Sequence, residues 1–475
     1  VKDISKVLNK RRNIQKKYFT SESFESVFKE IWEELGKENT SLFPIEPVIR
    51  DSALFKISPF HKLSNEQYEA KELIMQKLEA ALLKNMNKQV IFVAGEAGTG
   101  KTVLVSNLFY DLSTFSKQSS EEPIFKETNN FLLVNHDEQL TAYSQIAEKL
   151  GLVDRENNVV SKPTRFIREH DPSDPVDVVL VDEGHLLWTQ GKQAYQGNNQ
   201  LLDIIERAKV TIVVFDRNQI LRAEQYWEEE KLMLIEDKAK QEGNYIKLQN
   251  QFRINASQDM VKWIRTIIDE QIIMPIPEKT GGYELKVFAA PQSMYSSIQK
   301  KMKKDGLSRV LATFDWKYVK NKKPENEDFW CVKVGSWSLP WNLELPRPKG
   351  EDTKKLAWAE QPHTINEVGS TFTIQGFDLN YAGVIIGPSV KYRNGKIIFD
   401  KSDSKNSKAT QNRTLSDGTK MNFSEDFLRN ELNVLLTRGI NGLYIYAVDK
   451  ELQDALMTVY KDHEKKLKKE VTQGE

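Results

Sequence analysis

The chain has 475 residues, 39% hydrophobic and 29% charged, a composition that suits two or three globular domains and excludes a disordered chain. Its 68 basic and 68 acidic side chains give a formal net charge of +0, so no global basic field marks it as a nucleic-acid coat protein, although a local basic groove stays open. The single cysteine, Cys331, excludes an internal disulfide and a cysteine zinc site and makes a reducing, cytoplasmic compartment the natural expectation; no apolar run is long enough to cross a bilayer.

In chain order, residues 1–62 read as a helical N-terminal segment. Phe24, Val27, Phe28, Ile31, Trp32 and Leu35 recur at helical spacing until Pro44 and Pro47 break the pattern. No catalytic constellation falls here, and a helical cap or linker is the expectation. Residues 1–17 lack the apolar core of a signal peptide. The chain opens on Val1, which leaves an upstream domain or a protein partner compatible with it.

From residue 63 short apolar runs alternate with longer helical stretches. The runs at 90–94, 131–134, 176–181 and 210–215 are continuous rather than alternating, as in parallel strands buried on both faces. A second series follows at 284–288, 309–314, 382–386 and 443–447. The pattern predicts an α/β chain with two parallel sheets in tandem, the first over residues 63–252 and the second over 253–448. A tryptophan-rich insert (317–362) and a polar stretch (391–421), expected as a solvent-exposed loop or hairpin, interrupt the second. Residues 449–475 read as a charged C-terminal helix.

Gly95-Glu96-Ala97-Gly98-Thr99-Gly100-Lys101-Thr102 matches G-x-x-x-x-G-K-T between a strand and a helix. The glycines let the backbone wrap phosphates, and the helix presents free N–H groups to the same anion. Lys101 is expected on the β- and γ-phosphates of ATP and Thr102 on Mg²⁺. The apolar run ending in Asp182-Glu183-Gly184-His185 supplies one carboxylate for the hydrated metal, Asp182, and a second to orient the attacking water, Glu183. Surface acids capping a strand are the alternative, weakened by the P-loop upstream.

Further segments recur in a telling order. They are Leu63-Ser64-Asn65-Glu66-Gln67, Phe215-Asp216-Arg217-Asn218-Gln219, and Gln249-Asn250-Gln251-Phe252-Arg253. Ser370-Thr371-Phe372-Thr373-Ile374-Gln375-Gly376-Phe377-Asp378 and Leu432-Asn433-Val434-Leu435-Leu436-Thr437-Arg438 follow. In motif order over residues 63–446 the chain resembles superfamily 1 helicases of the UvrD/Rep type. It looks closer still to an uncharacterised bacterial group related to the Schlafen helicase-like domain, on the phrase from Thr371 to Gly387. The resemblance implies two tandem RecA-like domains and an ATP-hydrolysing motor on single-stranded DNA or RNA. Gln67 would read adenine, Gln219 would sense the γ-phosphate, Arg253 and Arg438 would act as arginine fingers, and Gln375 and Gly376 would couple the phosphate site to the track.

Two departures matter. The third-strand segment has Phe-Asp-Arg-Asn-Gln where the better-known members have a Gly-Asp-Pro turn, and the stretch between Arg253 and Ser370 has no room for a large accessory domain. An ATP-driven switch subunit of a bacterial defence or signalling complex, without processive unwinding, is therefore the second reading. A P-loop kinase or GTPase is a distant third, because it leaves the acid pair and Arg438 unexplained. Tyr143, Trp188, Trp316 and the tryptophans between Phe329 and Trp358 are candidate base-stacking platforms, with packing of a small insert as the alternative. His136 is a candidate contact to the track, with polar turn filler as the alternative.

Overall fold

The computed structural model describes residues 30–32, 34, 35, 37, 52–117, 123–152, 159–192, 194–251, 253–347 and 356–473. The chain falls into two units, Val1–Ser52 and Ala53–Glu475. In the first, the described positions from 30 to 37 are helical, and Lys37 pairs with Glu34 at 2.6 Å. Phe24, Val27 and Phe28 lie outside the described residues.

The second unit is built on two parallel sheets. The first lobe runs α1 (Asn65–Leu83), β1 (Gln89–Gly95), α2 (Lys101–Lys117), β2 (Asn130–Val134), α3 (Asp137–Lys149) and β3 (Val160–Ser161). It continues with α4 (Pro163–Glu169), β4 (Val176–Asp182), α5 (Gln200–Ile205), β5 (Ala208–Phe215), α6 (Glu229–Gln241) and β6 (Tyr245–Leu248). The strand order is β3-β2-β4-β5-β1-β6, with every pairing parallel. Val178, Val179, Leu180 and Val181 of β4 are buried, and each such side chain contributes about 1.5–3 kcal/mol. Because β1 lies beside β5 while the chain crosses to β2 beyond β4, the carboxyl ends of β1, β4 and β5 meet at one crevice, where ligands bind in such sheets.

The second lobe runs α7 (Gln258–Arg265), β7 (Glu284–Val287), α8 (Pro291–Asp305), β8 (Ser308–Ala312), β9 (Cys331–Val334), β10 (Trp337–Pro340), β11 (Val368–Gly369), α9 (Thr371–Ile374) and β12 (Leu379–Ile386). Then come β13 (Val390–Arg393), β14 (Lys396–Phe399), α10 (Ser407–Thr410), β15 (Arg413–Thr414), β16 (Lys420–Met421), α11 (Ser424–Leu436), β17 (Gly439–Ala447) and α12 (Lys450–Gln473). The sheet order is β11-β8-β12-β17-β7, again parallel throughout. These are the two tandem RecA-like sheets that the resemblance implies. Among the described residues no helix is long and apolar enough to cross a membrane.

Two inserts behave differently from one another. In the tryptophan-rich one, Trp341 and Trp358 are wholly buried and Trp337 nearly so. Trp341 packs 4.8 Å from the Phe314 ring, so these rings build the lobe. The polar stretch 391–421 takes the hairpin form expected of it, but it is not wholly exposed to solvent. It forms the hairpins β13–β14 and β15–β16, and its second half straps onto the first lobe. Arg413, 5% exposed, donates to the carbonyls of Ala223 and Thr189 at 3.3 and 2.7 Å. Lys408 pairs with Glu224 at 3.1 Å, Ser416 bonds Glu228, and just beyond the stretch Phe423 stacks on Tyr226 at 3.8 Å. The polar residues here answer donors and acceptors on the other lobe rather than water.

Candidate functional site

The P-loop leaves the carboxyl end of β1 with Gly98 at φ +88° and Gly100 at φ +76°, a left-handed backbone that glycine adopts without cost. Side chains are also excluded by crowding: a Cβ on Gly98 would meet Arg253 at 2.5 Å, and one on Gly100 would meet Gln67 at 1.8 Å. Gln67 sits in a capping box with Ser64 at the start of α1, and its amide donates to the Thr99 and Gly100 carbonyls at 3.2 and 3.3 Å. Lys101 opens α2 as a buried side chain. Its ammonium donates to the Gly95 and Glu96 carbonyls at 2.8 and 2.7 Å and lies 3.6 Å from Asp216. Thr102 follows on the same turn, half-buried.

Asp182 ends β4 and is buried. One of its oxygens accepts from the Glu183 N–H at 2.9 Å and the other from the Tyr143 hydroxyl at 2.7 Å. Burial, reinforced by the neighbouring Glu183 charge, pushes its carboxyl up to about 7. Glu183 occupies the left-handed region at φ +50°, which for a non-glycine residue costs about 1–3 kcal/mol and marks functional sites. The turn needs Gly184, where a Cβ would meet Val213 at 2.6 Å. Burial alone would raise Glu183, but the charges of His185, Lys101 and Arg438 outweigh it and hold the carboxyl below its usual range. Its Oε1 accepts from Gln139 at 3.4 Å, and its Oε2 lies 3.2 Å from the buried His185 ring.

The third acidic strand end, after β5, ties the lobes together. Asp216 accepts from Gln219 at 2.7 Å; despite burial, Lys101 and His185 hold it ionised below the usual carboxylate range. The second lobe grips the turn that follows. Gln375 donates to the Gln219 carbonyl at 3.4 Å, Asn430 to that of Ile220 at 2.9 Å, and Asn433 to that of Asn218 at 2.9 Å. Arg438, 1% exposed, donates to Gln219 Oε1 at 2.9 Å, to the Phe377 carbonyl at 3.2 Å and to the Val434 carbonyl at 3.0 Å. Burial pushes its guanidinium down to about 10. Asp378 then closes the ring, 2.6 Å from Arg253 and 3.9 Å from Arg438. A polar chain thus runs Lys101–Asp216–Gln219–Arg438–Asp378–Arg253, from one lobe to the other and back to the P-loop.

The structure brings together Gln67, Gly95, Gly98, Gly100, Lys101, Asp182, Glu183, Gln219, Arg253, Gln375 and Arg438. Gly376, at φ +85°, approaches Gln139, to which a Cβ there would come within 2.8 Å. The stacking candidates separate. Tyr143 is buried against Asp182 and has no face to offer a base. Trp188 carries Lys192 over its ring at 4.8 Å, and Trp316 donates its indole N–H to the Lys333 carbonyl at 2.9 Å. His136 caps α3, half-buried, 6.4 Å from the Phe377 ring of the second lobe; burial pushes it down to about 4, so it faces the interlobe boundary uncharged. Sequence reasoning missed Gln139, Asp216 and Asp378. A buried glutamine on the apolar face of α3 was the available signal for the first.

With this geometry in hand, known proteins fall into place. The family model described as Schlafen group 3, DNA/RNA helicase domain, matches residues 88–449. An uncharacterized protein of Saccharomyces cerevisiae is 32% identical over 440 residues, covering 86% of this chain and 94% of that protein; this relative is fungal, where the sequence resemblance points to a bacterial group. Among solved structures the PRRSV helicase aligns at 11% identity over 79% of this chain and 56% of its own, with a TM-score of 0.33. The Pif1 helicase of a forked-dsDNA structure aligns at 11% identity over 86% of this chain and 98% of its own, with a TM-score of 0.28. The chain spans little more than half the length of the PRRSV helicase chain, and scores this low locate no residue here.

Proposed function

The chain belongs to the Schlafen group 3 DNA/RNA helicase domain family, and from that premise we propose that it is an ATP-hydrolysing, nucleic-acid-dependent motor of superfamily 1, moving on single-stranded DNA or RNA. One observation carries the reading: the P-loop lysine of the first lobe is joined to Arg438 of the second through Asp216 and Gln219. A one-lobed phosphatase has no use for such a link. A motor needs it, because hydrolysis must depend on the closure that moves the track.

The residues fit Mg²⁺-ATP. The cradle at Gly98 and Gly100 admits no side chain, Asp182 is a buried carboxylate at the carboxyl end of β4, and Glu183 Oε2 is buried with the His185 ring 3.2 Å away. In the proposal Lys101 exchanges its carbonyl partners for the β- and γ-phosphates, and Thr102 and Asp182 hold the metal. Bound there, Mg²⁺ would neutralise charge developing on the phosphate oxygens. Glu183, kept ionised, orients the attacking water and accepts its proton. Gln219 senses the γ-phosphate, and Arg253 and Arg438 bring positive charge to the transferred group, an effect worth about 10³–10⁵ in rate elsewhere. Gln67 braces the P-loop carbonyls and would read adenine, while Gln375 and Gly376 would report the state of the site to the track.

A second reading, an ATP-driven switch in a defence or signalling complex, draws support from the strap that ties the second lobe to the first through Arg413 and Lys408. The two readings separate in steady-state ATP hydrolysis with single-stranded DNA, single-stranded RNA or duplex added. Stimulation by a single strand is expected; turnover indifferent to all three would refute the motor.

A further inference from the structure

Helix α3 carries two buried polar side chains on one face, Gln139 and Tyr143, each about 2% exposed. They stand four residues apart and therefore one above the other. Each reaches one member of the acid pair: the Tyr143 hydroxyl donates to Asp182 at 2.7 Å, and the Gln139 amide donates to Glu183 at 3.4 Å. The same helix touches the second lobe at its start. Glu138 accepts from the Trp358 N–H at 3.1 Å, and Gly376 lies so close to Gln139 that a Cβ there would meet its amide at 2.8 Å. An apolar core has no need of either polar group, and leaving one unmatched costs stability, so their placement asks for a role.

We propose that α3 is the positioning element of the hydrolytic acids, with Tyr143 setting the carboxylate of Asp182 for its metal and Gln139 setting Glu183 for the attacking water. The assignment rests on the ATPase reading above and deepens it. Tyr143 is suited to the task because its buried hydroxyl has the Asp182 carboxylate as its acceptor at 2.7 Å. With the Glu183 N–H on the other oxygen, the Asp182 carboxylate is fixed in rotation. Gln139 stands between Glu183 and Gly376, so a shift of the second lobe bears on the water-orienting acid through a single side chain. Neither residue touches substrate; both act through the acids, as partners behind metal ligands do.

The test is binding of a fluorescent, non-hydrolysable ATP analogue to the full chain, titrated with Mg²⁺, in the parent, Tyr143→Phe and Gln139→Ala. Thermal unfolding serves as fold control, and kcat and KM for ATP are read alongside. Tyr143→Phe is expected to raise the Mg²⁺ concentration for half-maximal binding by about 10–100-fold, while Mg²⁺-free binding stays at the parent level. Gln139→Ala is expected to keep the parent Mg²⁺ midpoint and KM and to lose about tenfold in kcat. A merely structural pair would lower the melting temperature and leave both readouts unmoved; a folded Tyr143→Phe with the parent midpoint, or a Gln139→Ala with the parent kcat, overturns the assignment. Should Tyr143→Phe fail to fold, the kcat of Gln139→Ala decides alone. A parent chain that binds no Mg²⁺-nucleotide overturns the ATPase reading itself, a failure visible before any variant is made.

Discussion

Arg438→Ala is the perturbation that bears hardest on the second lobe, and its cost divides into two parts. In the native chain the guanidinium satisfies three acceptors, the Val434 and Phe377 carbonyls and Gln219 Oε1, with 1% of the side chain exposed. Truncation leaves those acceptors buried, at about 1–3 kcal/mol for each one left without a partner. Relief from burying a guanidinium that burial has already pushed down to about 10 offsets part of this. A net loss of about 2–4 kcal/mol follows, seen as a lowered melting temperature. The catalytic part is larger, because an arginine supplied to the transferred phosphoryl group is worth about 10³-fold or more. The loss should fall on kcat rather than KM, since the contact belongs mainly to the transition state. Arg438→Lys keeps the charge but cannot reach three acceptors from one ammonium, so it should recover little of the rate. The assay is steady-state ATP hydrolysis at saturating single strand, run well below the variant's melting temperature. A folded Arg438→Ala that keeps the parent kcat refutes the two-lobed engine and leaves a one-lobed phosphatase with a neighbour.

Two more predictions concern the contacts between the lobes. Arg413→Ala removes the donors to Ala223 and Thr189 and should cost about 1–3 kcal/mol. Limited proteolysis should then cut residues 404–423 faster than in the parent; unchanged cleavage would mean that the strap does not hold the lobes. Glu138 is pushed up to about 7 by burial and by the nearby Glu360 and Asp137, against the pull of the Trp358 N–H. Its folded-state pKa thus lies above the ordinary carboxylate value, so the stability it contributes is full at acid pH and is lost as pH rises through about 7. Glu138→Gln should match the parent near pH 4 and exceed it by about 1–3 kcal/mol at pH 8, measured by denaturant unfolding across that range; parallel curves would contradict the shift.

What was legible in the sequence was local and backbone-driven. Gly98 and Gly100 must adopt left-handed angles, and the runs that became β1, β4 and β5 are buried on both faces, so motif and strand announce each other. Arg438 was legible by its order after Gln375, not by its composition. The contacts that join distant elements were not. Tyr143 looked like one more aromatic because its hydroxyl partner, Asp182, lies on another strand. Arg413 and Lys408 sat in a polar stretch whose complement, the seat at residues 189–228, is polar too, and composition alone cannot separate docking from solvation. The small strands Val160–Ser161 and Val368–Gly369 are held by their neighbours and carry almost no pattern of their own.

If this cleft hydrolyses ATP with Glu183 as its water-orienting base, ATP turnover by the parent beside Glu183→Gln reveals it. The substitution is nearly isosteric and leaves Lys101 and Asp182 in place. The variant is expected to bind Mg²⁺-ATP still, while turnover falls by about 10²-fold or more. A Glu183→Gln chain that hydrolyses ATP at the parent rate would contradict that role of Glu183.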